Sequence, residues 1–140
     1  VRNMKTKVYL AAPWFTEKQE EIYNKVVRQL RRNPMFELLL PRDFVMEDGH
    51  AMPNDEWALA VYNHDKSLLD KADFVYAIDW GFNSDAGTAW EIGYACAKNK
   101  PVIIVRPREV DMASLMIAGG SMVTLDEDLR FRAFATVEYK

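Results

Sequence analysis

Short, uninterrupted apolar runs alternate with helical patterns along most of the chain, and this alternation constrains the fold more than any other feature. Strands that are buried on both faces are continuous apolar runs, which is typical of a parallel sheet covered by helices. Parallel neighbours need crossover connections, and these are right-handed. The expected fold class is therefore α/β, a doubly wound parallel sheet of about five strands with helices on both faces. The expected strands are 7–12, 36–40, 74–78, 101–105 and 121–125.

Helical signals fill the segments between these runs. Thr16 and Gln19 have the spacing of a capping box, and an apolar stripe of helical period follows them. Asn54 or Asp55 is expected to cap a second helix. The further helices are expected at 54–70, 88–99, 112–117 and 126–134, and residues 42–53 are expected to form a long loop.

Length and charge exclude several classes of protein. A chain of 140 residues without an internal linker is expected to form one domain, 1–140. The net charge of −3 argues against a duplex nucleic-acid partner, since neutralising phosphates needs clustered Lys and Arg. No apolar run is long enough to span a membrane. The sequence leaves open whether Met4 is the natural start, with residues 1–3 added in cloning.

Cysteine and histidine usage argues against a metal centre. Cys96 is the single cysteine, so neither an internal disulfide nor a thiolate metal site is expected. His50 and His64 lack the spacing of metal ligands. The sequence contains no glycine-rich dinucleotide motif and no triphosphate motif, so no cofactor is expected. We expect a reducing, cytoplasmic location, since no signal peptide is visible.

Glu91 is the first candidate for a chemical role. Ligands of doubly wound folds bind outside the carboxyl ends of the strands, and Glu91 is expected in the first turn of the helix after the third strand. There the positive end of the helix dipole favours an ionised carboxylate, as a nucleophile in glycosyl transfer requires. Thr88 and Glu91 also have the spacing of a capping box, so a purely capping role is an equal alternative.

Two aspartates accompany Glu91. Asp85 precedes the same helix, where an N-cap role and a role facing a sugar are both open. Asp65 shares a helical face with apolar residues, at steps of three and four. A carboxylate so placed is costly unless it is paired or used, and burial favours its protonated form, which suits a proton donor. A buried aspartate bonded to a backbone or tyrosine group is the alternative. The apolar residues of that face are Trp57, Val61, Leu68 and Ala72.

Aromatic side chains are expected at the same edge of the sheet. Tyr9 lies in the first strand, where most aromatic side chains belong to the core. Trp14 and Phe15 follow the end of that strand. A flat nucleobase can stack on side chains in that position, so both are candidates for substrate binding.

Four segments, in this order, resemble the nucleoside 2-deoxyribosyltransferase family. The most specific one is the Asp-x-Gly-Thr-Ala-x-Glu-x-Gly block that begins at Asp85, whereas the strand-one segment alone is weak. The spacing from Asp65 through Asp85 to Glu91 also resembles that of the family. The four segments are Tyr9–Phe15, Tyr62–Asp65, Ser84–Ala95 and Lys100–Val102.

The resemblance implies a flavodoxin-like fold and a role for each matched residue. Glu91 falls on the family's nucleophile, Asp65 on the acid near the base, and Asp85 on the carboxylate near the sugar. Tyr9 falls on the tyrosine that orients the nucleophile, and Gly87 belongs to the substrate-binding block. The resemblance also implies 2′-deoxynucleosides and free nucleobases as partners, no metal or cofactor, and a homo-oligomer, commonly a hexamer built from dimers.

Two positions depart from the family pattern. The segment Ser114–Met116 resembles an Asn-Leu-Met element that reaches the substrate of a neighbouring subunit, with Met116 retained. Ser114 stands in place of the Asn, which puts the contact to the 5′ end of the sugar in question because a hydroxyl reaches less far. The chain ends Tyr139-Lys140, whereas some members end at a tyrosine near the site.

The implied reaction is a double displacement with retention. Departure of the base gives C1′ oxocarbenium character, which a 2′-hydroxyl would oppose, so a 2′-deoxy sugar reacts more readily. Glu91 attacks C1′ while an acid protonates the leaving base, and a second base attacks the resulting ester.

Two alternatives stay open. One is a 2′-deoxynucleoside 5′-monophosphate N-glycosidase, with a phosphate nest at Ser114 and 119–121. The other is a non-catalytic nucleotide-binding module on the same fold.

Overall fold

Five parallel strands form the central sheet of the chain. A computed structural model describes residues 4–133 and the backbone of residues 136–137. The sheet contains β1 (Thr6–Ala11), β2 (Phe36–Leu39), β3 (Phe74–Ile78), β4 (Val102–Val105) and β6 (Val123–Leu125), in the spatial order β2-β1-β3-β4-β6. Two short segments, β5 (Met112–Ala113) and β7 (Thr136–Val137), pair separately. The predicted parallel sheet of about five strands is confirmed.

Helices cover both faces of this sheet. The helices are α1 (Glu17–Leu30), α2 (Asn54–Lys71), α3 (Ala86–Ala97) and α4 (Leu115–Gly120). One apolar cluster joins α1 to the sheet, and a second joins α2, α3 and α4 to the opposite face. The fold is therefore the doubly wound α/β type that the alternating pattern predicted. No helix within the described residues has the length and apolar character needed to span a membrane.

Helix α1 begins where its sequence signals place it. The Thr16 side chain accepts a hydrogen bond from the backbone N–H of Gln19, and the Gln19 side chain accepts from the backbone of Thr16, so the capping box is confirmed. The apolar stripe of the helix is buried against the sheet, and each such side chain contributes roughly 2 kcal/mol. Its members are Ile22, Tyr23, Val26, Val27 and Leu30.

Three local predictions were wrong. Helix α2 begins at Asn54 with Pro53 in the cap position and without a side-chain cap, so neither Asn54 nor Asp55 has that role. Helix α4 begins at Leu115 rather than near residue 112, because Met112 and Ala113 pair as β5.

The predicted helix over 126–134 is the third error, because residues 126–133 form a turn followed by extended chain. The Asp126 carboxylate accepts the backbone N–H groups of Asp128 and Arg130 at 2.8 and 3.1 Å, which competes with helical hydrogen bonds. Leu129 has a positive φ of 58°. Residues 134, 135 and 138–140 lie outside the described residues, and so does the end of the chain at Tyr139-Lys140, where the sequence departs from the family pattern.

Candidate active site

A cavity of about 850 Å³ lies at the carboxyl ends of β1 and β3. The strand order reverses between these two strands, which is where doubly wound folds bind ligands. The loops after β1, β2 and β3 surround the cavity together with α2 and α3. Six residues that the sequence singled out lie on its lining: Trp14, Phe15, Asp65, Asp85, Gly87 and Glu91.

Glu91 lies partly buried in the second turn of α3, and Tyr9 lies beneath it in β1. Helix α3 begins at Ala86, so the expected place in the first turn was wrong by one turn. The fully buried Tyr9 donates its hydroxyl hydrogen to Oε2 of Glu91. The N-cap of α3 is Asp85 and not Thr88, so the interpretation of Glu91 as the partner in a capping box is also wrong.

Burial dominates the electrostatics of this pair. Desolvation raises the pKa of Glu91 to about 7, and the hydrogen bond from Tyr9 opposes that rise. The nearby charges of Asp65 and Asp85 raise the pKa of Glu91 further. Burial, followed by the charge of Glu91, raises the pKa of Tyr9 far above its ordinary value, so Tyr9 keeps its proton and acts as a hydrogen-bond donor.

Asp85 caps α3 and faces the cavity at the same time. Its Oδ2 accepts the backbone N–H of Thr88 at 2.8 Å and the Thr88 hydroxyl at 3.0 Å. A Cβ added at Gly87 would lie 3.2 Å from that oxygen, so glycine leaves the approach to Asp85 open. The two interpretations of Asp85 are therefore compatible, because capping occupies only one of its oxygens.

Asp65 lies on the cavity wall rather than in the core. Its side chain is 23% exposed and lies on the face of α2 that lines the cavity. Along the apolar face of α2, Ala72 at the C-cap is buried, whereas Trp57 near the start of the helix is 49% exposed. The partner of Asp65 is neither backbone nor tyrosine: His64 Nδ1 lies 2.9 Å from its Oδ1.

The three carboxylates share one arrangement. Within the described residues, protein hydrogen bonds reach only one oxygen of each: Oδ1 of Asp65, Oδ2 of Asp85 and Oε2 of Glu91. The side chain of each carboxylate lines the cavity. Each carboxylate is thus held by one oxygen and keeps the other for a ligand, which suits groups that must act on a bound molecule.

Aromatic side chains also line the cavity. Trp14 packs beside Phe15 at 5.0 Å between ring centroids and edge-on against Tyr23 at 5.9 Å. Phe44, in the loop after β2, lines the cavity and stacks on the His64 ring at 4.0 Å with a 17° interplanar angle. The sequence predicted this long loop, but it gave no signal for the contact between Phe44 and His64.

A buried ion pair anchors the loop that leads into α3. Asp79 Oδ1 accepts the Gly81 N–H at 3.0 Å and the Ser84 hydroxyl at 2.7 Å. Asp79 Oδ2 lies 4.0 Å from Nε of the fully buried Arg106. Gly81 has a φ of +65°, and a Cβ there would lie 2.6 Å from the Met112 carbonyl oxygen, so the turn requires glycine. This framework holds the start of α3 and hence Asp85.

Ser114 and Met116 do not line the cavity of their own chain. Ser114 precedes α4, and Met116 is 84% exposed on it. Gly119 and Gly120 lie inside α4 rather than in a loop, so the phosphate nest suggested by the sequence does not form in the described part of the chain.

Carboxylates that face one cavity are typical of enzymes that cleave a glycosidic bond. The chain belongs to the nucleoside 2-deoxyribosyltransferase family, whose sequence profile matches residues 8–133. It is therefore an enzyme of that family rather than a non-catalytic binding module.

Individual relatives are similar over most of the chain. A nucleoside deoxyribosyltransferase of Lactobacillus leichmannii is 30% identical over 114 residues, covering 75% of this chain and 73% of the relative. One from Lactobacillus johnsonii is 28% identical and covers 91% of both chains. The structure of a 2-deoxyribosyltransferase from Bacillus psychrosaccharolyticus is 27% identical with a TM-score of 0.70, and the match covers 86% of this chain and 85% of that one.

Proposed function

We propose that this enzyme transfers the 2-deoxyribosyl group between nucleobases through a covalent ester on Glu91. The observation that carries the proposal is the Glu91 carboxylate at the cavity, held on one oxygen by Tyr9. Membership of the family supplies the substrate class, 2′-deoxynucleosides and free nucleobases. No step of this chemistry calls for a cofactor.

In the first displacement, Oε1 of Glu91 attacks C1′ of the sugar. The C1′–N bond breaks, its electron pair stays with the base, and Asp65 gives a proton to a ring nitrogen of that base. The Tyr9 hydroxyl keeps Oε2 in place, so Oε1 is the oxygen that bonds to carbon. The products are a deoxyribosyl ester and a free nucleobase.

In the second displacement, another base attacks C1′ from the side that the first base left. The Glu91–C1′ bond breaks, the carboxylate is restored, and the incoming base returns a proton to Asp65. Two inversions give net retention. If water attacks instead, the same ester is hydrolysed, so the ratio of transfer to hydrolysis depends on how well the second base fills the cavity.

The remaining site residues hold the substrate in this proposal. Asp85 accepts a hydrogen bond from a sugar hydroxyl with the oxygen that α3 does not use. Trp14 and Phe15 stack on the base, since both line the cavity past the end of β1. Gly87 allows the sugar to approach Asp85 closely.

We also propose a cytoplasmic homo-oligomer, a hexamer built from dimers, in which α4 of one subunit reaches the cavity of the next. Met116 is 84% exposed and does not line the cavity of its own chain, which supports this arrangement. Light scattering measures the oligomer size. Glu91→Gln protein and Met116→Arg protein are mixed so that their subunits exchange. Activity should then return, because some sites combine the intact Glu91 of one subunit with the intact Met116 of the other. A mixture that stays inactive would contradict shared sites.

Chromatography of 2′-deoxyinosine with and without adenine tests the function. We expect 2′-deoxyadenosine only when adenine is present. Release of hypoxanthine at the same rate in both samples, without 2′-deoxyadenosine, would identify a hydrolase. Activity confined to 5′-monophosphates would identify the N-glycosidase.

A further inference from the structure

His64 has no part in the proposed reaction, yet its ring contacts the acid. Nδ1 of His64 lies 2.9 Å from Oδ1 of Asp65, and both side chains are about three-quarters buried, at 28% and 23% exposure. We propose that His64 is a positioning residue that orients Asp65 for proton transfer to the leaving base. The inference rests on the proposed function, in which Asp65 is the proton donor.

The contact is not one that a helix provides by itself. Consecutive residues of a helix point about 100° apart, and neighbouring side chains do not ordinarily face each other. The Asp65 and His64 side chains must therefore turn toward each other. The Phe44 ring supplies a reason, because it stacks on the imidazole at 4.0 Å with a 17° angle and comes from a different element, the loop after β2. The orientation of the imidazole is thus fixed from outside α2.

A fixed imidazole determines which oxygen of Asp65 faces the substrate. In the proposed arrangement Nδ1 carries the imidazole hydrogen and donates it to Oδ1, which leaves Oδ2 to carry and deliver the proton. As the C1′–N bond of a purine nucleoside breaks, the Oδ2–H bond breaks and an N–H bond forms on the base. Asp65 becomes a carboxylate whose Oδ1 still accepts from His64. The imidazole is unchanged through the cycle, and the incoming base returns the proton.

The lysine that follows Asp65 in the sequence does not contact the Asp65 carboxylate in place of His64. Lys66 also lines the cavity, but its Nζ lies 3.4 Å from Asp70 Oδ2 and over the Tyr94 ring, away from Asp65. Among the described residues, His64 is the side chain that the hydrogen bonds assign to Asp65. His64 therefore contacts Asp65 directly, and Phe44 stacks on the imidazole and orients it.

The choice of leaving group distinguishes a positioning role from a structural one. The base of 2′-deoxyinosine needs a proton to leave, whereas N7-methylated 2′-deoxyguanosine already carries the positive charge and leaves without one. The full-length protein is assayed with both donors and adenine as the acceptor. We expect His64→Leu to lower kcat for 2′-deoxyinosine about 10- to 100-fold, less than the roughly 100- to 10,000-fold that a complete general acid contributes, with KM changed less than about threefold. The same variant should keep most of its rate with the methylated donor.

Two matched variants complete the test. His64→Asn keeps a nitrogen donor at the position of Nδ1, so we expect it to regain most of the 2′-deoxyinosine rate. Asn63→Leu changes an exposed neighbour on the same turn and should leave both donors unaffected. If His64→Leu slows both donors equally, or neither, or if His64→Asn does not recover activity, the positioning role is wrong. Absence of exchange in the unaltered protein would instead refute the proposed function. If His64→Leu lost activity through misfolding, its Tm would be lowered and both donors would slow, which contradicts the positioning role.

Discussion

Tyr9 donates its hydroxyl hydrogen to Oε2 of Glu91 across a sequence separation of 82 residues. The bond joins β1 to the second turn of α3 at the edge of the sheet where the strand order reverses. It holds one oxygen of a partly buried carboxylate and leaves the other at the cavity. Asp65 and Asp85 lie on the same cavity beside this pair.

Glu91→Gln should abolish base exchange and stabilise the protein at alkaline pH. Burial raises the folded-state pKa of Glu91 to about 7, above its ordinary value, so protonated Glu91 favours the folded state. That contribution is complete below about pH 4.5 and is lost as pH rises through about 7. Glutamine carries no charge to bury and still accepts from Tyr9. Urea unfolding should therefore show a gain of up to about 3 kcal/mol at pH 8 and little difference at pH 4. Retained exchange with a stability loss would contradict a nucleophilic Glu91.

Tyr9→Phe should move the pH dependence of the reaction. An ionised Glu91 is the reactive form, so the rising limb of kcat/KM against pH should have its midpoint near pH 7. The Tyr9 hydrogen bond lowers the pKa of Glu91, and its removal should shift the rising limb to higher pH. Initial rates from pH 5 to 9 give the comparison. An unchanged midpoint in Tyr9→Phe would show that the hydrogen bond does not tune the nucleophile.

Substitutions at Asp85 should separate its two roles. Asparagine is a good N-cap, so Asp85→Asn should keep the stability of the protein, while KM rises because an amide donor replaces the free carboxylate oxygen. Asp85→Ala should raise KM as well and also cost about 1 kcal/mol through the lost cap. Chemical denaturation and steady-state kinetics on both variants provide the data. A normal KM in Asp85→Asn would mean that Asp85 only caps α3.

Trp14→Leu should weaken substrate binding. Trp14 lines the cavity and packs on Phe15 and Tyr23, so its loss removes an aromatic surface for the base. Aromatic stacking of about 0.5–1.5 kcal/mol corresponds to a KM increase of roughly 2- to 13-fold. The increase should appear for the donor and the acceptor base alike, since one cavity receives both. An effect on kcat alone would place the base elsewhere.

Ser114→Asn should strengthen the contact to the 5′ end of the sugar. If α4 of a neighbouring subunit reaches the substrate, the longer amide should lower KM for 2′-deoxyinosine. It should not do so for 2′,5′-dideoxyinosine, which lacks the 5′-hydroxyl. An equal change for both substrates would argue against a contact at that hydroxyl.

The sheet was predictable because burial on both faces leaves a simple signature. The apolar runs around Tyr9, Val75 and Ile104 needed no tertiary information to be assigned as central strands. The conformation of residues 126–133 was less predictable because a local hydrogen-bonding interaction determines it. Asp126 captures the backbone N–H groups that a helix would have used, and helical periodicity does not report such competition.

Part of the candidate site could likewise be predicted from the sequence, and part could not. The family resemblance predicted that Asp65, Asp85 and Glu91 belong to one site, and the structure brings all three to one cavity. The turn of α3 that carries Glu91 was misplaced, because Asp85 rather than Thr88 caps the helix. His64 and Phe44 could not be found from the sequence, because their stack joins two elements that share no periodicity. Interactions between elements required the structure.

Mass spectrometry of the intact protein tests the central claim most directly. The protein is mixed with 2′-deoxyinosine without an acceptor base, quenched in acid and compared with Glu91→Gln treated in the same way. We expect an increase equal to one deoxyribosyl group, located by digestion on the peptide that contains Glu91 and removed when adenine is added before the quench. Rapid base exchange without any adduct, or an adduct on a residue other than Glu91, would contradict the account.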